Sequence, residues 1–209
     1  MKQSDIWNKR FDDDKGEERS SYLEKYIQYF IDREGKQILD LGCGDGGNAL
    51  YLESIGLEVV AADFSQSALN IVKSRSSTIS TCCFDMTNKF PFDPETFDFV
   101  VASLSTHYFS FQDTLNVYEQ IWSVLKPNGY LFFRVNSIRE YLLNKKNDTV
   151  EIIEPNYYLS ANGKKKRYFT IETIKEMLHK FHIEEIYEDE FRYKNNKKYA
   201  ISGVARKIN

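Results

Sequence analysis

Ile38-Leu39-Asp40-Leu41-Gly42-Cys43-Gly44-Asp45-Gly46-Gly47 runs a short apolar stretch directly into a loop with four glycines. It reads as a buried strand opening onto a ligand. A tight strand-to-helix turn needs backbone angles that glycine adopts readily, and a ligand reaches the main chain only where no Cβ intervenes. Ala49, Leu50 and Leu52, followed by Gly56, predict a helix and its end. Val59-Val60-Ala61-Ala62 predicts a second strand, stopping at Asp63. That acid falls about twenty residues past the first glycine, where dinucleotide-type folds place a carboxylate for ribose hydroxyls.

Charge in the loop narrows the ligand. A pyrophosphate is welcome at a helix N-terminus, where backbone N–H groups and the dipole favour anions. Here Asp40 precedes the loop, Asp45 lies within it, and no lysine or arginine occurs between Gln37 and Lys73. Two carboxylates repel a pyrophosphate and suit a ligand carrying an ammonium or sulfonium group. The run Asp40-Leu41-Gly42-Cys43-Gly44-Asp45-Gly46 resembles the first motif of the class I S-adenosylmethionine-dependent methyltransferases. The resemblance implies a Rossmann-like α/β fold: a seven-stranded, mostly parallel sheet with an antiparallel C-terminal hairpin strand and helices on both faces. It also implies S-adenosyl-L-methionine as cofactor and S-adenosyl-L-homocysteine as product. Asp40, Gly42, Cys43, Gly44 and Gly46 would then meet the methionine end and Asp63 the ribose, with Phe64 and Ser65 beside it.

Composition sets the outer limits. The 209 residues suffice for one sizeable core, and 42% hydrophobic with 15% aromatic content predicts an ordered globule. No apolar stretch approaches the roughly 18 residues that span a bilayer, and no signal-peptide core is evident, so a cytoplasmic protein without membrane partners is expected. Three cysteines, two of them adjacent at Cys82-Cys83, suggest neither a disulfide framework nor a metal site. A net charge of -3 argues against a general nucleic-acid partner. Either a monomer or a homodimer fits.

The N-terminal stretch, 1–35, carries Trp7, Arg10 and Phe11, and then a helix expected from Ser20 or Ser21 with Leu23, Tyr26, Ile27 and Phe30 at helical spacing. Trp7 and Phe11 either anchor the terminus to the core or, as in similar small-molecule methyltransferases, close a lid over cofactor and substrate with Arg10. Within the cofactor core, 36–136, Ser65 is expected to cap a helix and Ile79 to Phe84 to form a third strand ending at Asp85-Met86. By the resemblance, Asp85 binds the adenine amino group and Met86 packs on the ring. Taken alone, Asp85 is an ordinary turn residue.

Phe97 to Ser103 is the most strand-like run, and in the family the end of this fourth strand lies beside the transferable methyl, which nominates Ser103. Ser103 to Phe109 contains neither the Asn/Asp-Pro-Pro-aromatic motif of nucleic-acid amino methyltransferases nor a Pro-Cys nucleophile, so a small-molecule acceptor is expected. His107 is the candidate general base, with Tyr108 beside it, because an unperturbed imidazole titrates near neutrality. The bland reading is that His107 shapes the loop. Asp113 or Thr114 is expected to cap an amphipathic helix of Leu115, Tyr118, Ile121, Trp122 and Leu125, which Lys126-Pro127-Asn128-Gly129 ends before a fifth strand.

From 137 to 169 the pattern breaks down, and a long loop is usually functional or mobile. The family builds its substrate cover there, which nominates Tyr157, Tyr158 and Arg167 for the acceptor, with Lys164-Lys165-Lys166 a solvated turn. The last part, 170–209, reads as a helix capped by Thr170 and an antiparallel hairpin of Ile183 to Tyr193 with Lys198 to Arg206. The whole is expected to be a single domain. Two rival functions stand beside the methyltransferase: a non-catalytic module that binds the same nucleoside, and a nicotinamide-dependent oxidoreductase.

Overall fold

The computed structural model of the chain describes residues 7–11, 22–31, 36–144, 150–161, 163–193 and 196–208. The expected helix start at Ser20 or Ser21 lies outside them. Five strands and three α-helices follow in order, with no helix between β3 and β4: β1 (Gln37–Leu41), α1 (Gly47–Ser54), β2 (Glu58–Asp63), α2 (Gln66–Arg75), β3 (Ser80–Cys83), β4 (Phe97–Ser103), α3 (Phe111–Val124) and β5 (Leu125–Asn136). After a cover built of α4 (Ile138–Asn144), β6 (Val150–Glu154), β7 (Tyr157–Ser160) and β8 (Lys165–Arg167), the chain returns through α5 (Ile171–Met177) to β9 (Phe181–Tyr193) and β10 (Asn196–Lys207).

The main sheet has seven strands in the order β3-β2-β1-β4-β5-β10-β9. β1 pairs in parallel with both β2 and β4, whereas β10 runs antiparallel to β5 and to β9. The expected mixed sheet with its terminal hairpin is therefore present. Strand order reverses between β1 and β4, and such a switch point opens a crevice at the carboxyl ends of the strands.

Period-two alternation divides the apolar residues between the two faces. Leu39, Leu41, Val100, Ala102, Leu131 and Phe133 join Val117, Tyr118 and Ile121 of α3 and Ile174 and Met177 of α5. Ile38, Phe99, Val101 and Phe132 meet Ala49 and Leu52 of α1, Leu69 and Val72 of α2, and Leu23, Tyr26 and Phe30 of the N-terminal segment. Asp40 shares the register face of Ile38, which puts a carboxyl on the second, apolar side.

Several local expectations need correction. The segment Tyr22–Tyr29 is a 3-10 helix, and Ile27 is exposed, because tighter winding moves that position off the buried side. α3 is capped by Ser110, whose Oγ accepts from Asp113 N at 3.1 Å, so Asp113 sits inside the first turn and is not its cap. Trp122 is half-buried, with Lys207 Nζ 4.2 Å from its ring. The stretch 137–169 is no patternless loop: β6, β7 and β8 form a three-stranded antiparallel sheet, strands too short for alternation to show. The basic run is likewise not a solvated turn, since Lys165–Arg167 is a strand and Arg167 is buried.

Candidate active site

The glycine loop is fixed from behind by β2. Gly42 N and Cys43 N both donate to Ala62 O, at 2.7 and 3.0 Å. The Asp63 carboxylate then accepts from Gly44 N at 3.0 Å and from Ser65 N at 2.9 Å, tying the loop to the start of α2. Glycine is required at Gly42, where φ is +74° and a Cβ would lie 2.3 Å from Ser105 Cβ. Arg75 reaches back from α2 to donate to Asp45 O at 3.0 Å, so a cation absent from the loop's own sequence braces its backbone.

Asp40 is buried, and its Oδ2 has no hydrogen-bond partner. Burial, with Asp63 and Asp45 nearby, pushes its carboxyl up to about 7, against the pull of a hydrogen bond from the Ala49 backbone. Burial also raises Asp63, although three backbone hydrogen bonds oppose it. The buried Cys43 thiol is held protonated by burial and the same carboxylates. Asp85 is exposed, and its Oδ1 accepts from Thr87 N at 2.9 Å and from Thr87 Oγ1 at 2.7 Å, a side-chain turn. Met86 is buried, with Cε 3.2 Å from the place a Gly42 Cβ would take.

The helical turn 7–11 lies over this loop. Phe11 Cζ is 3.3 Å from the position of a Cβ on Gly44, and Asn8 Oδ1 accepts from Ser65 Oγ at 2.6 Å. The Trp7 ring meets Tyr108 edge-on at 4.9 Å, with Arg10 4.9 Å above it. Phe64 packs with Trp7, Phe11, Ala68 and Tyr108. Trp7, Arg10, Phe11, Phe64, Ser65 and Tyr108 thus converge on one side of the loop.

At the end of β4 the chain passes half-buried Ser103 and turns at Leu104, whose φ is +53° and whose N–H donates to Arg134 O at 2.7 Å. A single 3-10 turn, Thr106–Tyr108, follows. Its His107 is buried against the Tyr108 ring at 4.2 Å, and Nδ1 has no partner. Burial, and then the charge of Lys166, hold this imidazole well below its ordinary pKa.

The small sheet clamps the same turn. Tyr157 Oη donates to Tyr108 O at 2.9 Å, Arg167 Nε donates to Phe109 O at 3.2 Å, and Phe111 N donates to Glu154 Oε1 at 2.9 Å. Arg167 also pairs with Glu154 and donates to Pro155 O at 3.2 Å. Tyr157 and Arg167 therefore spend their polar atoms on the backbone of 106–111 and its cover. Tyr158 lies on the opposite face of the small sheet, the face of its cross-strand partner Lys166, stacked on Tyr141 at 4.1 Å beside Tyr168.

Unpartnered buried polar atoms mark the same region. Among the described residues seven side-chain atoms are of this kind. Six belong to Tyr22, Asp40, Ser105, His107, Arg134 and Asn136, at the carboxyl ends of β1, β4 and β5 or in the segments covering them; Trp122 alone lies elsewhere. Native structures pair nearly all such atoms, so their concentration here makes this crevice the candidate place for a polar ligand. Sequence reasoning missed Tyr22, Asn8, Ser105, Arg134, Asn136 and Lys166, although Asn8 lies inside the Trp7–Phe11 stretch that already signals a lid. No group of three or more His, Cys, Asp or Glu among the described residues is arranged to hold a metal.

Comparison with known proteins agrees with this geometry. Residues 39–133 match the family described as a methyltransferase domain. The chain is 41% identical over 104 residues to the human mitochondrial arginine-hydroxylase NDUFAF5, covering 48% of this chain and 29% of that protein. It is 30% identical over 114 residues to the ubiquinone biosynthesis O-methyltransferase of Coxiella burnetii (strain Dugway 5J108-111), covering 52% and 47%. The chain thus spans about half or less of the curated relatives it matches. A crystal structure of a SAM-dependent methyltransferase from Methanosarcina mazei superposes with a TM-score of 0.74 at 20% identity, covering 88% of this chain and 97% of the other. Residues 39–133, just under half of the chain, match a methyltransferase domain, and the sheet around them has the Rossmann-like class I methyltransferase fold.

Proposed function

We propose that the chain catalyses methyl transfer from S-adenosylmethionine to a small-molecule acceptor. The observation that carries this is Asp40, a buried carboxyl with an unpartnered oxygen at the switch point, flanked by Asp63. Such a group favours a bound cation and opposes a pyrophosphate, which sets the nicotinamide oxidoreductase aside. Asp40 and the backbone of Gly42, Cys43, Gly44 and Gly46 would hold the methionine end. Asp63 would hold the ribose through the lone pairs its backbone bonds leave over, while Phe64 and Ser65 support that side. Asp85 and Met86 would hold the adenine, and Ser103, at the end of β4, would bind the cofactor beside its transferable methyl. When bound, S-adenosylmethionine supplies a methyl group on a sulfonium, already activated for transfer.

The remaining chemistry is positioning, which can lower a barrier by about 7 to 11 kcal/mol. Trp7, Arg10, Phe11 and Tyr108 exclude water and orient the acceptor. Tyr157 and Arg167 hold the 106–111 turn in register, and Tyr158 borders the cover. His107 accepts a proton or a hydrogen bond from the acceptor; held neutral and far below its usual pKa, it is better suited to the hydrogen bond. A small-molecule acceptor is also what the name of the Coxiella relative describes.

Calorimetric titration with S-adenosylhomocysteine tests the cofactor side: binding is expected, and Asp63→Ala should weaken it at least tenfold. Absence of binding sinks the proposal. Labelled methyl donor with a library of phenols, acids, amines and thiols separates an enzyme from a non-catalytic module, since only the enzyme yields a labelled product.

A further inference from the structure

The two sides of the site carry opposite charge. Asp40, Asp45 and Asp63 lie around the glycine loop, whereas the acceptor side, opposite them, gathers cations from separate segments. Lys164 Nζ is 5.1 Å from the Trp7 ring, the ring that Arg10 also covers at 4.9 Å. Lys166 lies two residues on, in β8, which packs against the turn bearing His107. Its Nζ is 5.7 Å from the Tyr168 ring, and its charge acts on His107. Glu140, whose charge acts on it, is already bonded to Lys198 and accepts from Tyr199 N. Among the described residues no carboxylate is within salt-bridge distance of Lys166, although its side chain is half-buried. Lysine rarely leaves water without a partner. Burial and the charges of Lys198, Lys164 and Arg10 lower its pKa to about 8 despite Glu140.

Resting on the methyltransferase reading, we propose that the acceptor is a small aromatic carboxylic acid whose carboxylate is received by Lys166, with Lys164 and Arg10 supporting the charge. Trp7, Tyr108 and Tyr168 supply flat apolar walls for the ring. A bound carboxylate gives Lys166 the ion pair that it lacks among the described residues, while the sulfonium end faces the acids across the site. His107, next to the ammonium, is disfavoured as a cation and orients the acceptor as a neutral imidazole.

The test uses the full chain saturated with S-adenosylhomocysteine, titrated with matched pairs: salicylate and salicylamide, 4-hydroxybenzoate and 4-hydroxybenzamide, indole-3-acetate and indole-3-acetamide. At least one acid is expected to bind ten times or more tighter than its amide. Lys166→Met should remove that preference at least tenfold and Lys166→Arg should keep it within threefold. Both variants should bind S-adenosylhomocysteine within twofold of the parent, which shows that the fold and the cofactor side are intact. Equal binding of acids and amides, no binding of any acid, or an acid preference unchanged in Lys166→Met overturns the assignment. Failure to bind S-adenosylhomocysteine at all overturns both this assignment and the methyltransferase reading, whereas failure of the acids alone leaves the latter standing.

Discussion

Replacing Asp40 by Asn should stabilise the protein and weaken its cofactor site in one step. The native carboxyl is raised from 3.8 to about 7 by burial and by two neighbouring acids. At 1.36 kcal/mol per pKa unit, keeping it ionised above pH 7 costs about 4 kcal/mol of folding stability. The sign follows from which state ionises first. Below pH 3.8 both states hold the proton. As pH rises the unfolded chain releases it while the native carboxyl keeps it, so stability declines until about pH 7 and is level beyond. Asn retains an acceptor for the Ala49 N–H but brings an amide that needs partners, a loss of about 1 to 3 kcal/mol. The net gain at pH 8 is therefore about 1 to 3 kcal/mol, shrinking as pH falls from 7 toward 4. Urea unfolding of the ligand-free protein at pH 8 and pH 5 measures it. Calorimetry measures the opposite effect on binding: parent affinity for S-adenosylhomocysteine should fall about tenfold per pH unit below 7, whereas Asp40→Asn should bind at least tenfold more weakly at pH 8 and show a flatter profile. A variant less stable than the parent at pH 8, with unchanged affinity and pH dependence, would refute the reasoning.

Gly42→Ala forces a side chain into +74° φ and to 2.3 Å from Ser105 Cβ, and should cost about 2 to 4 kcal/mol in urea unfolding. Ser65→Ala removes the cap of α2 and the tether to Asn8, for about 1 kcal/mol of stability; its S-adenosylhomocysteine affinity should also fall, and Asn8→Ala should reproduce only the affinity loss. Arg167→Met leaves Glu154 without its buried partner and frees Phe109 O, so it should cost about 3 to 5 kcal/mol and lower methylation turnover more than cofactor affinity. Tyr157→Phe loses one hydrogen bond to Tyr108 O, a change of about 1 kcal/mol measurable by thermal unfolding.

The cofactor half of the architecture is legible because each feature answers a local backbone demand. Gly42 and Gly46 need positive φ where β1 turns into α1, Asp63 ends a strand, and Ser65 and Thr170 accept from the N–H three residues on. Such signals lie within a few residues of what they control, so the order of strand, loop, helix and acid shows in a single chain. Helix caps are less secure: Ser110 competes with Asp113 and Thr114, and the winner is the residue whose extended backbone leads into the helix.

The acceptor half obeys a different logic, and this is why its residues resist sequence reading. Tyr157, Glu154 and Arg167 look like surface residues of a patternless loop, yet they are bound to the backbone of 108–111, some fifty residues earlier in the chain. Lys166 and Arg167 are neighbours in one basic run, but strand alternation sends them to opposite faces, one to the clamp and one to the cation cluster. Trp7 meets Tyr108 and Lys164 from the other end of the sequence. Each of these contacts closes a long loop, so no short window contains both partners. The same separation gives the acceptor side its independence: the cover between β5 and α5 can change its charges without disturbing the glycine loop, because the 106–111 turn and the 7–11 segment, which Lys164 meets at Trp7, stand between the two. A chimera carrying a different 137–169 segment should therefore keep S-adenosylhomocysteine affinity within a few fold while changing the acceptor it selects. Loss of cofactor binding on that exchange would show that the two halves are not separable.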